Sequence, residues 1–475
     1  MQSSSTPPPV PLTRSARWAL TSLSLSLLLS SLGTSIANVG LPTLAQAFGA
    51  IFAQVQWVVL AYLLAITTLI VSVGRLGDLL GRRRLLLGGI ALFTFASALC
   101  GLAPTLPWLI AARALQGLGA AVMMALTMAL VGELVPKART GSAMGLLGTM
   151  SAVGTALGPS LGGVLIATLG WRALFLVNLP LGALALLFAV RCLPSGQASA
   201  APSSARFDYA GTLLLAFTLA AYALAMTLGH GHWGLRNLGL LAAAALGVGL
   251  FVHVEARAPA PLVRLQMFRD AGLGAGLVMN ALVATVMMAT FVVGPFYLAR
   301  GLGLEMAAVG AVMAVGPVVS ALTGVLAGRL VDRFAAPRMV AVGLAAMVGG
   351  AVALAVLPLL WGVAGYVTAM LVLTPGYQLF QAANNTAALA DIPAAQRGVT
   401  SGMLNLARNL GLVTGASLMG AVFAWAVGTA EVASAAPAAL AAGLQWTFAL
   451  AAVLLGGALA LAWRGDTRAK PTLAA

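Results

Sequence analysis

Apolar runs of about twenty residues follow one another along almost the whole chain. They lack the strict alternation of a half-buried strand and the two-faced pattern of a soluble surface helix. In hydrocarbon a backbone must satisfy its own N–H and C=O groups, so runs of this length read as membrane-spanning helices. Barrel strands are shorter and alternate apolar with polar, which argues against a β-barrel. The runs fall at 18–38, 57–76, 85–103, 107–131, 140–165, 172–193, 209–229, 236–256, 272–298, 306–327, 338–357, 361–387, 398–427 and 442–463. The pattern therefore predicts an all-α polytopic membrane protein with fourteen transmembrane helices.

Charge tests the count. Only 7% of residues are charged, against 61% apolar, and the formal net charge is +15. Such a charge could signal nucleic acid, but here the positives sit in short loops where they set topology. With the N-terminus inside, Arg172, Arg236 and Arg300 alone among the 25 basic residues fall in outside loops, and Arg113 and Arg408 fall within spans. The others lie inside, from Arg14 and Arg17 to Arg464, Arg468 and Lys470. A wrong span count would scramble this alternation downstream of the error, so both termini are read as cytoplasmic. Residues 1–17 read as a tail, and the long run after Arg14 and Arg17 as an uncleaved first span. Cys100 and Cys192 fall near opposite faces, which disfavours a disulfide.

The chain also repeats itself. Gly74-Arg75-Leu76-Gly77-Asp78 recurs as Gly328-Arg329-Leu330-Val331-Asp332. At nearly the same spacing, Pro136, Gly141, Gly145, Gly154, Gly158 and Gly163 match Pro393, Gly398, Gly402, Gly411, Gly415 and Gly420. The repeats define six-helix halves at 18–193 and 272–464, with two extra helices in the 194–271 linker and a tail at 465–475. Parallel six-span repeats resemble the architecture of the major facilitator superfamily.

Several motifs carry that resemblance. The segment Gly74 to Arg84, with Gly74, Asp78, Gly81 and Arg82, is similar to the superfamily's loop motif between its second and third spans. The resemblance implies a cytoplasmic latch in which Asp78 and Arg82 pair, with Glu133 as a third member. Leu109 to Gly119, with Arg113 and Gln116, resembles the fourth-span motif of proton-coupled members. Gly154, Gly158, Pro159, Gly162 and Gly163 form a GxxxGPxxGG string that resembles the fifth-span motif of exporters. Its glycines make a smooth stripe for close helix approach, and Pro159 frees a backbone carbonyl. Leu32 to Pro42, Trp171 to Pro180 and Phe207 to Gly211 resemble signatures of the fourteen-span drug:proton antiporters. The implied activity is efflux of small amphipathic molecules by an antiporter in the inner membrane.

One departure bears on coupling. That branch commonly carries an acid where this chain has Gly33. All ten acids fall in loops or near span ends, whereas proton antiport ordinarily uses an embedded titrating group. An arginine stays protonated and does not supply one. Proton coupling thus comes from the resemblance alone.

A substrate site in this fold lies near the midplane between halves. The candidates are Asn38, Arg113 and Gln116 in the first half. In the second they are Asn280, Tyr297, Gln378, Gln381, Asn384, Asn385, Asn405, Arg408 and Asn409. Gln378, Gln381 and Asn385 share a helical face. Interhelical hydrogen bonding is the competing role for each amide. Two embedded arginines without embedded acids favour an anionic substrate. No P-loop points to ATP, and no cofactor, metal or catalytic cluster is apparent, so an enzyme is not expected. The partners implied are a small-molecule substrate, protons and the bilayer, with the protein acting as a monomer. A metabolite importer or facilitator, and a nontransporting membrane receptor, are the competing readings.

Overall fold

The computed structural model describes residues 14–134, 140–193, 208–227, 234–258, 261, 271–390, 397–428 and 435–468. In chain order the helices are α1 (Arg14–Val39), α2 (Leu41–Phe48), α3 (Phe52–Val55), α4 (Trp57–Leu80), α5 (Arg82–Gly101) and α6 (Leu106–Leu134). They continue with α7 (Thr140–Leu169), α8 (Ala173–Leu176), α9 (Asn178–Cys192), α10 (Tyr209–Thr227) and α11 (Leu235–Arg257). The last are α12 (Ala271–Phe296), α13 (Met306–Arg333), α14 (Ala336–Ala390), α15 (Arg397–Thr414), α16 (Gly420–Val427) and α17 (Pro437–Arg468). Two π-turns, Tyr297–Gly301 and Gly415–Met419, extend α12 and join α15 to α16.

Among the described residues, 11 helices are long and apolar enough to cross a membrane, and Val153–Leu169 and Tyr209–Ala225 are shorter apolar helices. One of the 11 is double. As a straight rod α14 would run about 80 Å, far more than a hydrocarbon core needs. It reverses at Gly362, whose φ of 54° and ψ of −124° are not helical. Gly343 on its first arm then packs against the backbone of Gly376 and Phe380 on its second. The outer surface is apolar, with Leu322, Leu246 and Val453 widely exposed, as a lipid-facing bundle requires.

The sequence repeat is also a repeat of packing. Gly89 of α5 meets Gly119 of α6, just as Gly343 meets Gly376. A Cβ on Gly154 would strike the Leu28 carbonyl of α1, and one on Gly411 would strike the Ala281 carbonyl of α12. The two halves meet at the end of the bundle that carries α2 and α3. There Gly163 of α7 lies against Gly310 of α13, and a Cβ on Gly163 would stand 2.5 Å from the Met306 carbonyl oxygen. Phe52 of α3 stacks edge-on to Phe296 at 4.8 Å and tilted on Phe423 at 5.6 Å. The inserted α10 and α11 pack on each other, and α10 packs along α4 and the 415–419 turn. Leu215 and Leu219 of α10 share a cluster with Leu277 of α12 and Leu404 of α15, and Thr212 shares a hydroxyl hydrogen bond with Ser72 of α4 at 2.8 Å. The insert thus touches both halves.

Some expectations need correction. The loop after the first span holds α2 and α3, both short helices. The span at 172–193 has a joint between α8 and α9 at Val177, whose φ of −58° and ψ of −25° stay helical, so that Ala173–Cys192 remains one apolar crossing. Helices α13 and α17 run past their apolar stretches to Arg333 and Arg468, because a helix does not stop where hydrocarbon ends.

If backbone contact at the repeat glycines holds each half together, Gly411→Ala will cost about 1–3 kcal/mol through overpacking and lower the melting temperature in detergent. Gly88→Ala is the control: nothing lies within 4 Å of the added methyl, so its melting temperature should stay level or rise slightly.

Candidate functional site

Helix α6 places Arg113 in the interior of the first half, where it is 0% exposed. Burying a cation is expensive unless its donors find acceptors. The guanidinium answers with two hydrogen bonds and two aromatic contacts. Its Nε donates to the Val58 carbonyl of α4 at 2.9 Å, and Nη1 donates to Oε1 of Gln116. Its carbon stands 4.1 Å from the centroid of the Tyr62 ring, with Phe175 of α8 at 5.9 Å, distances at which a desolvated cation–π contact is worth about 2 kcal/mol. Gln116, one turn on from Arg113, passes the chain of bonds to Ser97 of α5 at 2.7 Å, and Ser97 donates to the Phe93 carbonyl at 2.7 Å. Nη2 is buried without a hydrogen-bond partner. Every named partner of Arg113 belongs to the first half.

Gly33 adjoins this network. A Cβ there would lie 3.0 Å from the Tyr62 hydroxyl and 3.2 Å from the Phe93 ring. Tyr62 donates to the Ser30 carbonyl at 2.8 Å. Tyr62 and Phe93 therefore fill the space toward which a larger residue at position 33 would grow. Arg113 faces an aromatic ring, and no described carboxylate is among its partners.

The other expected residues fall into separate sets. Asn38 on α1 donates to Thr34 at 2.9 Å, and its Oδ1 is buried without a partner. Asn280 of α12 donates to the Leu404 carbonyl of α15 at 2.8 Å, and Asn384 of α14 donates to the Gly276 carbonyl of α12 at 3.3 Å. Tyr297 donates to the Pro358 carbonyl at 2.9 Å. These three groups bond within the second half. Gln378 bonds Ser320 of α13, Gln381 donates to the Tyr377 hydroxyl at 3.1 Å, and Asn385 is exposed. On α15, Asn405 is exposed, Arg408 is half-buried, and Asn409 is buried with Nδ2 lacking a hydrogen-bond partner.

Of the loop motif, Gly81 separates α4 from α5 at φ 87°, a conformation that suits glycine. Arg83 donates to the Val190 carbonyl of α9 at 2.7 Å. The side chains of Asp78 and Glu133, and Gly74 with them, fall outside the described set. Of the exporter string, Gly154, Gly158 and Gly162 seat α1, Gly163 seats α13, and the Pro159 carbonyl stands where a Cβ on Gly310 would lie. Among the described residues no group of three or more His, Cys, Asp or Glu could hold a metal ion. Sequence reasoning missed Tyr62, Ser97 and Gln56. Gln56 is 2% exposed and donates to the Ala416 carbonyl in the opposite half at 2.8 Å. A polar residue at the head of a long apolar run was the available signal.

The crowding at Gly33 can be measured. Gly33→Ala should destabilise the protein in the Tyr62 background and less so in a Tyr62→Phe background, where the opposing hydroxyl is gone. The expected coupling is about 0.5–1.5 kcal/mol, read as the melting-temperature difference around the double-mutant cycle.

Comparison with known proteins extends these observations. Residues 23–416 match the family model described as Major Facilitator Superfamily. Multidrug resistance protein Stp of Mycobacterium tuberculosis is 33% identical over 86% of this chain and 76% of its own length. Riboflavin transporter RibZ of Clostridioides difficile is 30% identical over 83% of this chain and 86% of its own. The fold resembles the crystal structure of a bacterial homolog of the human lysosomal transporter Spinster in an inward-facing, unoccupied conformation. The TM-score is 0.68 and the identity 17%, with 98% of this chain and 100% of the other covered. The chain is a multi-pass membrane protein and belongs to the major facilitator superfamily of transporters.

Proposed function

We propose that the protein is a secondary transporter of the cell's inner membrane that exports small amphipathic compounds by alternating access. In this reading it has fourteen spans and cytoplasmic termini. Separating the two arms of α14 and adding the apolar runs in α7 and α10 supports that count. The end that carries α2 and α3 is then the outer end, where the halves are in contact. Transport proceeds by rocking one six-helix half against the other.

The observation that carries export is the glycine face of α7. Gly154, Gly158 and Gly162 receive α1, while Gly163 receives α13. One helix thus ties its own bundle together and forms one of the crossings to the other, and its glycine–proline string is similar to the exporter motif. The multidrug name of Stp supports the same direction. Protons are the proposed coupling ion on the strength of the family resemblance, with Arg113 as a fixed charge that biases the conformational equilibrium. The riboflavin name of RibZ, and the aromatic in place of a carboxylate beside Arg113, favour the second reading, a metabolite facilitator.

Everted vesicles from a host without its own pumps separate these readings. A panel of cationic and anionic amphipathic dyes should include at least one that accumulates on energisation and is released when nigericin collapses the pH gradient. Dye movement that follows only the dye's own gradient contradicts proton coupling and favours the facilitator. No movement by a correctly inserted protein would favour the receptor. For a verified substrate, Arg113→Met keeps the aliphatic stem and removes the charge. It should lower transport at least about ten-fold, equivalent to one charge-assisted hydrogen bond.

A further inference from the structure

The two crossings between halves at the outer end are related by the repeat, yet they differ in chemistry. On one side Gly163 of α7 lies on Gly310 of α13. On the other, Gly420 at the start of α16 lies on Gln56, at the head of α4. Gly420 is the repeat partner of Gly163, and Gln56 occupies the place that Gly310 holds in the second half. The first crossing is bare backbone. At the second, a buried side-chain amide reaches across the seam, and its Nε2 donates to the Ala416 carbonyl at 2.8 Å.

Two features of the second half make room for that amide. A Cβ on Gly420 would collide with Gln56 Nε2, so only glycine leaves the amide its seat. The Ala416 carbonyl belongs to the π-turn Gly415–Met419, whereas α7 stays α-helical throughout the corresponding stretch. A π-turn shifts the helical register by one residue and alters the carbonyl's own partner, a device that recurs at functional sites. Phe52, four residues before Gln56, closes the same seam against Phe296 and Phe423.

We propose that Gln56 is a polar latch of the outer gate: its amide, seated on Gly420, holds the Ala416 carbonyl of the opposite half and favours the outward-closed state. The hydrogen bond exists only while the seam is shut. Opening leaves a donor and an acceptor to be solvated, so the bond weights the equilibrium between states without touching substrate. The Gly163–Gly310 crossing has no such bond and serves as the apolar counterpart. The proposal rests on the alternating-access reading above.

The test uses the full chain in proteoliposomes, in a background free of Cys100 and Cys192. Spin labels are placed on the exposed Gln46 of α2 and Ala307 of α13, one on each half at the outer end, and the interspin distance distribution is measured. Gln56→Met keeps the shape and removes the donor. It should raise the long-distance fraction relative to the short by roughly three- to ten-fold, the net effect of one hydrogen bond. Gly420→Ala, which displaces the amide, should move it the same way. A wild-type protein with two populations whose ratio Gln56→Met leaves unchanged contradicts the latch, even if Gly420→Ala shifts it through crowding. A wild type with one distance at every pH and dye concentration contradicts the rocking reading itself.

Discussion

Helix backbones in this bundle come together at glycines, and the rest of the structure depends on that contact. Lipid tails are as apolar as leucine, so hydrophobic burial gives one helix little reason to prefer another over lipid. Association then depends on how closely the helices pack. Gly154 on the Leu28 carbonyl and Gly411 on the Ala281 carbonyl assemble each half by the same geometry. Gly163 on Gly310 joins the halves. A contact made by the absence of a side chain has a flat surface with no interlocking knobs, which suits a joint expected to part and re-form.

Buried polar groups work under the opposite constraint. Arg113 cannot be released from its charge and must be held by groups within the bundle. The Val58 carbonyl, Gln116 and the Tyr62 ring hold it, and Tyr62 is itself anchored to the Ser30 carbonyl. This ties α1, α4, α5 and α6 into one rigid unit. The arrangement fits a charge that moves with its half as a body. It also explains why position 33 is small, since the tyrosine hydroxyl stands where a side chain would extend.

Much of the fold was legible in the sequence because membrane spans and glycine repeats are long-range, periodic signals. The paired glycines marked the repeat, and of these pairs Gly154 and Gly411 pack alike, on the Leu28 and Ala281 carbonyls, whereas Gly163 and Gly420 do not. Breaks within apolar stretches were unevenly legible. The reversal at Gly362 falls at the junction between the runs read at 338–357 and 361–387, whereas the joint at Val177 lies inside a single run and neither π-turn leaves a compositional trace. Helices α2 and α3 lay hidden between two spans for the same reason. The candidate site was half legible. Arg113 and Gln116 announced themselves as polar residues in an apolar run, but their partners Tyr62 and Ser97 come from other helices and follow from tertiary packing. Asn280 and Asn384, for which interhelical hydrogen bonding was the competing role, bond neighbouring backbone within the second half, and Tyr297 does the same. Gln56 breaks the repeat rather than following it, since Gly310 holds the corresponding place in the second half.

The central claim is that the two halves part at the outer end during transport. Val309 is 0% exposed in the first turn of α13, next to the Gly163–Gly310 crossing. The most direct measurement is the rate at which a membrane-impermeant thiol reagent, added from outside, modifies Val309→Cys in a background free of Cys100 and Cys192. The account predicts an inert thiol at rest and a reactive one during turnover of a verified substrate. A thiol that stays equally inert while transport proceeds would contradict it.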